Sequence, residues 1–245
     1  MTHIGPEFMN KTRHQHLPVP DQQAGVPQPP LELPHDPAQP VTALPDPADF
    51  PDSPVNLRGL IERRCSVREY RPDALRLDEL GFLLWCTQGV KKTVPGRATF
   101  RTVPSAGARH AFETYVLVNR VEGLERGIYR YLAIDHQLAT FSVAPDAAER
   151  ITRACLGQRF VLTSAATLLW TAVPYRMTWR YSQRGYRYLH LDAGHVCQNL
   201  YLAAEAIGCG ACAIAAFDDN ALNDTLALDG VEQFAVYLAA VGRRP

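Results

Sequence analysis

Residues 186–208, YRYLHLDAGHVCQNLYLAAEAIG, restrict the possible folds of this chain more than any other stretch. Leu189, Ala193, Val196, Leu200, Ala203 and Ile207 recur at three- and four-residue steps, drawing one apolar stripe along about five helical turns. A second face, made of Leu191, His195, Gln198 and Leu202, is partly polar. A helix that is apolar on more than one side belongs at the centre of its fold or in a subunit interface, so the other elements must be built around it.

Those elements alternate in type. SPVNLRGLIERRCS offers Ser53 or Asn56 as a cap and Leu57, Leu60 and Ile61 at helical spacing, which predicts a short helix ending near Arg64. RLDELGFLLWCTQG predicts a second helix running to Gly89, with Leu77, Leu80, Leu84, Phe82 and Trp85 inward. TYVLVNRV reads as a strand, GIYRYLAIDHQLATFS as two strands around an Asp-His turn, and AAERITRACLG as a helix. AATLLWTAVP reads as a buried strand closed by Pro174, CGACAIAAF as a small-residue strand, DDNALNDTLAL as a capped helix and QFAVYLAAVG as the last strand. This order defines an α+β chain.

The sequence divides near residue 55, into a proline-rich arm over 1–55 and a globular domain over 56–245. About two-thirds of the 19 prolines precede that point, where missing N–H groups and fixed φ disfavour helix and sheet interior. The arm is expected to be disordered or to lie extended across a partner subunit. MTHIGPEF precedes a second methionine, Met9.

With 25 basic and 25 acidic side chains, no overall field draws the chain to nucleic acid or an anionic membrane. No uncharged apolar run reaches membrane-spanning length, and the N-terminus lacks a signal-peptide pattern, so a soluble, cytoplasmic protein is expected. The six cysteines are expected to be reduced. Cys209 and Cys212 form C-x-x-C, but they follow the glycine that ends a helix and have no second ligand pair. They read as apolar fillers of a buried strand rather than a redox pair or half a zinc site.

The chain contains no G-x-G-x-x-G, P-loop or H-E-x-x-H motif. His190 and His195 fall on different helix faces, which disfavours shared metal ligation, and His195 reads as an interior histidine. Ser105 in VPSAGARH lacks the strand-to-helix elbow of a nucleophile. What remains is RRCSVREYR, with Arg63, Arg64, Arg68 and Arg71 at a helix end. The cluster is either a solvated turn paired with Glu62, Glu69 and Asp73 or an anion clamp, in which guanidinium forks and the Ser66 hydroxyl suit a phosphate. The small-residue turns PSAG and AIAAFDD would let backbone N–H groups approach a flat ligand.

RRCSVREY, PSAGAR, RGYRYLHLDAGHVCQNLYL and AAFDD, in that order, resemble the nitroreductase-like FMN flavoprotein superfamily and, within it, the SagB-type dehydrogenases. The resemblance spans Leu57 to Gly242. It implies a nitroreductase-like fold with a central, mostly antiparallel sheet flanked by helices, in an intertwined homodimer with FMN at the subunit interface. By position, Arg64, Cys65, Ser66 and Arg68 would serve the phosphate, ribityl chain and pyrimidine edge, with Cys65 through its backbone. Pro104, Ser105, Ala106 and Gly107 would face the ring from the other subunit, Ala215 and Ala216 would lie near flavin N5, and Arg243 would approach the phosphate. Ala215 replaces a glycine of the family pattern and narrows that space by a methyl group.

Where azoline oxidases of the family carry Lys-Tyr, this chain has Arg180-Tyr181. A guanidinium cannot act as a general base, whereas Tyr181 can exchange a proton or simply pack at the rim. The expected activity is FMN-dependent hydride transfer between flavin N5 and a small organic or peptide-derived substrate. The alternatives are an NAD(P)H-dependent nitro or quinone reductase, with NAD(P)H as transient donor, and a non-catalytic flavin-binding scaffold subunit. The arm is also a candidate docking module.

Overall fold

Helix α1 (Ile4–Lys11) and strand β1 (Val41–Ala43) lie within the arm, and the remaining elements follow it. They are α2 (Leu57–Arg63), α3 (Leu77–Gln88), β2 (Val90–Val94), β3 (Ala98–Arg101), β4 (Phe112–Val118), β5 (Gly127–Leu132), β6 (Gln137–Ser142) and α4 (Ala147–Ala154). After these come α5 (Phe160–Thr163), β7 (Ala166–Ala172), α6 (Tyr175–Tyr181), α7 (Gly185–Ala206), β8 (Cys209–Ile214), α8 (Asp219–Thr225) and β9 (Phe234–Arg243). The computed structural model describes residues 3–51 and 55–245.

Seven strands form one sheet in the order β1-β6-β5-β4-β7-β9-β8, and every neighbouring pair is antiparallel. Helices cover both faces, giving the α+β architecture expected of the sequence. On one face Val116, Leu168, Trp170 and Ala239 meet α3 and α7 through Leu80, Leu84, Leu189, Val196 and Leu200. On the other, Tyr115, Leu117, Leu169 and Leu238 meet α4 and α8 through Ile151, Leu222 and their neighbours. All seven residues of β7 are buried, in keeping with its reading as a buried strand.

Helix α7 carries the stripe read from the sequence. Leu189, Ala193, Val196, Leu200 and Ala203 are buried, while Leu191, His195 and Gln198 are exposed. Asn56 caps α2, its side-chain oxygen accepting from Gly59 N at 3.1 Å; Ser53 lies outside the described residues. Only Leu60 of the three apolar positions in α2 is buried. The sequence reading passed over the β2–β3 hairpin, whose turn contains Pro95 and Gly96, the latter at φ 64°.

The described part of the arm is ordered and makes defined contacts with its own chain. Strand β1 adds to the sheet edge beside β6, where a proline-flanked strand can pair on one side. Pro6 sits in the first turn of α1, where no intrahelical N–H is needed. Further along, Leu33 N donates to the buried Glu113 carboxylate at 2.8 Å, and Arg130 donates to Leu33 O at 2.6 Å and Pro34 O at 3.0 Å. Glu32 accepts from Ala133 N at 2.7 Å.

Candidate active site

Residues 64–70 leave α2 extended and run beside β8. Ser66 bridges Ala211 in parallel register, Val67 N donates to Ala211 O at 2.9 Å, and Arg71 N donates to Arg243 O at 3.1 Å. Gly210 makes this approach possible: a Cβ there would stand 2.5 Å from Val67 Cγ2. Tyr70 fastens the far end, donating to Val67 O at 2.7 Å and Ala240 O at 3.2 Å. Burial raises its phenol well above the ordinary range, so Tyr70 acts as a clamp that keeps its proton.

Two arginines of the segment are left available. Arg71 pairs with Asp73 at 2.9 Å, but no carboxylate among the described residues pairs with Arg64 or Arg68. The Arg64 guanidinium lies over the Tyr201 ring, 5.3 Å from its centroid. Tyr201 also joins the segment to the end of β8: its hydroxyl meets Ser66 Oγ at 3.1 Å and accepts from Ala213 N at 2.9 Å. Just beyond, Ala215 and Ala216 are exposed, and neither N–H donates to another described group. Cys65 is exposed. The first group of predicted residues is therefore brought together, through a tyrosine the sequence reading did not single out.

A second group forms around the loop after β3. Gly107 takes φ 58°, and a Cβ there would meet the Tyr181 hydroxyl at 2.5 Å and Arg180 Nε at 2.8 Å, so the loop abuts the Arg180-Tyr181 pair directly. Ser105 Oγ accepts from His110 N at 2.9 Å, and Ala106 N points to Asp192 Oδ1 at 3.4 Å. Pro104 is exposed beside them. Tyr181 meets Tyr188 edge to face at 4.9 Å. Asp192, also unanticipated, is buried on α7 with Oδ2 unpartnered, and burial raises its carboxyl pKa. Tyr201 and Asp192 are nine residues apart on α7, placing the two groups roughly 14 Å apart along the helix of one chain.

Arg243 has a different engagement from the one its position suggested. Its guanidinium grips Glu79 at 2.6 and 2.8 Å and reaches Cys209 Sγ at 3.6 Å, so it ties β9 to α3. Cys209 and Cys212 are buried in β8 and face opposite sheet cores, and burial pushes the Cys209 thiol up to about 11. No His, Cys, Asp or Glu cluster suited to a metal occurs among the described residues, and none of their helices is long and apolar enough to cross a membrane.

The nitroreductase family model matches residues 61–243, from α2 through β9. The chain belongs to the nitroreductase family. It is 35% identical over 190 residues to the provisionally named nitroreductase MJ1384 of Methanocaldococcus jannaschii, covering 78% of this chain and 92% of that one. It is 29% identical over 180 residues to the trifolitoxin-processing protein TfxB of Rhizobium leguminosarum bv. trifolii, covering 70% of this chain but only 48% of TfxB. Among solved structures, a provisionally named nitroreductase of Ralstonia eutropha JMP134 superposes with a TM-score of 0.68 at 25% identity, over 89% of this chain and 94% of that one. The fold and the family identify this nitroreductase-family member as an oxidoreductase.

Proposed function

We propose that this protein is an FMN-dependent oxidoreductase of the SagB-type dehydrogenase kind, moving hydride between a small organic or peptide-derived substrate and the flavin. The observation that carries this reading is the pair Arg64 and Arg68. These guanidiniums flank Ser66 on a segment clamped to β8, without a carboxylate partner among the described residues, next to the open N–H groups of Ala215 and Ala216. Such a donor set fits a phosphorylated flavin, because phosphate oxygens accept several charge-assisted bonds while a flat ring needs close backbone approach. When bound, FMN supplies two-electron chemistry at N5.

The chain's own residues divide the remaining work. Arg64, Ser66 and Arg68 hold the polar end of the cofactor, Ala215 and Ala216 offer N–H groups to the ring, and the Tyr181 hydroxyl exchanges a proton with substrate. Pro104, Ser105, Ala106 and Gly107 serve the site from a second subunit. Support for the homodimer comes from the spacing of the two groups along α7 and from an apolar groove of about 410 Å³ bounded by Leu60, Phe82, Trp85 and Leu202. Val55, Leu57 and Ile61 add exposed apolar surface on the α2 side, at 57%, 58% and 55% exposure. The likeness to a trifolitoxin-processing protein favours a peptide-derived substrate.

Absorbance spectroscopy tests the cofactor. The purified protein is expected to be yellow, and the Arg64→Gln/Arg68→Gln variant to hold FMN at least about 100-fold more weakly, given the worth of two charged hydrogen bonds. Unchanged affinity would remove the proposal. The relation to MJ1384 favours a second reading, reduction of nitro compounds or quinones with NAD(P)H. Anaerobic bleaching of the flavin by NADPH in stopped flow would select that reading; absence of bleaching would exclude it.

A further inference from the structure

A cavity of about 520 Å³ lies between the arm and the junction of α6 with α7. Its inner wall is Arg180, Tyr181, Arg184 and Tyr188, and its outer wall is the arm stretch that includes His14 and Leu17. The arm is pinned on both sides of that stretch. Before it, Arg184 donates to Thr12 O at 3.0 Å and Arg187 to Thr12 Oγ1 at 2.6 Å. After it, Gln22 N donates to Trp179 O at 2.9 Å, Tyr175 to Asp21 Oδ2 at 2.8 Å and Trp179 Nε1 to Val26 O at 2.9 Å. Between the pins the chain crosses the cavity stiffened by Pro18 and Pro20, and residues 14–20 make no hydrogen bond to the body among the described residues.

The charges inside this enclosure are one-sided. Arg180 and Arg184 line it, and no carboxylate does. Arg184 is occupied by Tyr188 and Thr12, whereas Arg180 has no hydrogen-bond or ion-pair partner among the described residues. Arg109 approaches from behind, over the Trp179 ring at 5.4 Å, and its guanidinium is disfavoured first by burial and then by Arg180. Both cations lie against Gly107, beside the Tyr181 hydroxyl: Arg109 Nε donates to Gly107 O at 3.1 Å, and a Cβ at Gly107 would stand 2.8 Å from Arg180 Nε.

We propose that this strapped cavity is a substrate subsite for an organic carboxylate: Arg180 takes the carboxylate, the aromatic and aliphatic walls take the adjoining apolar part, and the arm is the wall that closes over it. The assignment rests on the flavoenzyme reading above only in treating Tyr181 as the group next to the reacting atoms. It gives the arginine at position 180 a binding task that does not require it to lose a proton.

Equilibrium dialysis of the full-length, flavin-loaded protein with 4-nitrobenzoate and with uncharged 4-nitrobenzyl alcohol tests this inference. The carboxylate is expected to bind at least about ten-fold more tightly, as a charge-assisted pair would give. Arg180→Gln should bring the two ligands within about two-fold, and Arg180→Lys should keep part of the preference. Leu17→Asp, which sets a competing carboxylate in the strap, should abolish the preference, while Leu17→Asn should keep it. Equal binding in the wild type, a preference that survives Arg180→Gln or Leu17→Asp, or one lost equally in Leu17→Asn would overturn the assignment. Flavin content of the same samples separates the two ideas. A full complement without the preference ends this inference alone, and a colourless protein that keeps the preference ends the cofactor reading alone.

Discussion

Asp192 puts one carboxylate oxygen toward Ala106 N and leaves the other buried without a partner. Burial raises its pKa, partly offset by Ser105, Ala106 and His195. A carboxyl whose folded pKa lies above its unfolded value favours the fold below the unfolded pKa, and that contribution is lost as pH rises through the folded pKa. Asp192→Asn keeps an oxygen for Ala106 N without the charge. Its melting temperature is therefore expected to exceed that of the wild type at about pH 8, with the gain vanishing as pH falls toward about 3.9, the ordinary aspartate value. Asp192→Ala loses the contact as well and should cost about 1 kcal/mol relative to Asn. An Asn variant no more stable than wild type at high pH would show that the buried charge has found compensation. His110, on the same loop, is pushed down to about 3 by burial and by Arg101 and Arg109, so it stays neutral at physiological pH and serves the loop through its backbone N–H.

The clamp between the basic segment and β8 depends on a missing methyl group at Gly210. Gly210→Ala would drive Cβ into Val67, whose Cγ2 and Cβ lie 2.5 and 2.7 Å from that point. The expected cost is about 1–3 kcal/mol of overpacking, together with, under the proposed function, weaker FMN retention because Ser66 and Arg68 move with Val67. Adding Val67→Ala should restore much of both, measured by chemical denaturation and flavin titration on the four-member cycle. Strict additivity would show that the segment does not rest on Gly210. Elements such as α7 and β7 were legible in the sequence because one continuous apolar pattern fixes each of them. The site was legible only in part. Arg64, Ser66 and the Gly107 loop stand out by composition, but Tyr201 and Asp192 look like ordinary polar interruptions of a helical stripe. Their meaning lies in Ala213 N, Ser66 Oγ and Ala106 N, partners supplied by distant segments. The engagement of Arg243 was hidden for the same reason, since its position in the sequence gives no sign of Glu79.

At the scale of the whole molecule, the arm binds through buried polar groups rather than by loose association. Glu113 and Arg176 form a fully buried pair at 2.5 Å, and the arm adds to its hydrogen bonding: Leu33 N donates to Glu113 at 2.8 Å, and Arg176 Nε donates to Pro30 O at 2.8 Å. Proline density leaves open a disordered arm or an extended one, because local composition reports what an arm cannot form internally and is silent about what a distant surface offers it. Deleting residues 3–51 would leave Arg176 and Arg130 short of acceptors in buried or half-buried places and uncover the β6 edge. At about 1–3 kcal/mol for each charged group left unsatisfied, the loss is expected to reach roughly 3–5 kcal/mol. For a chain of this size that corresponds to a fall in melting temperature on the order of 10 °C. The uncovered strand edge should also promote self-association, visible by light scattering. A truncated protein that melts with the full-length chain and scatters no more light would mean that the arm rests on the body without stabilising it.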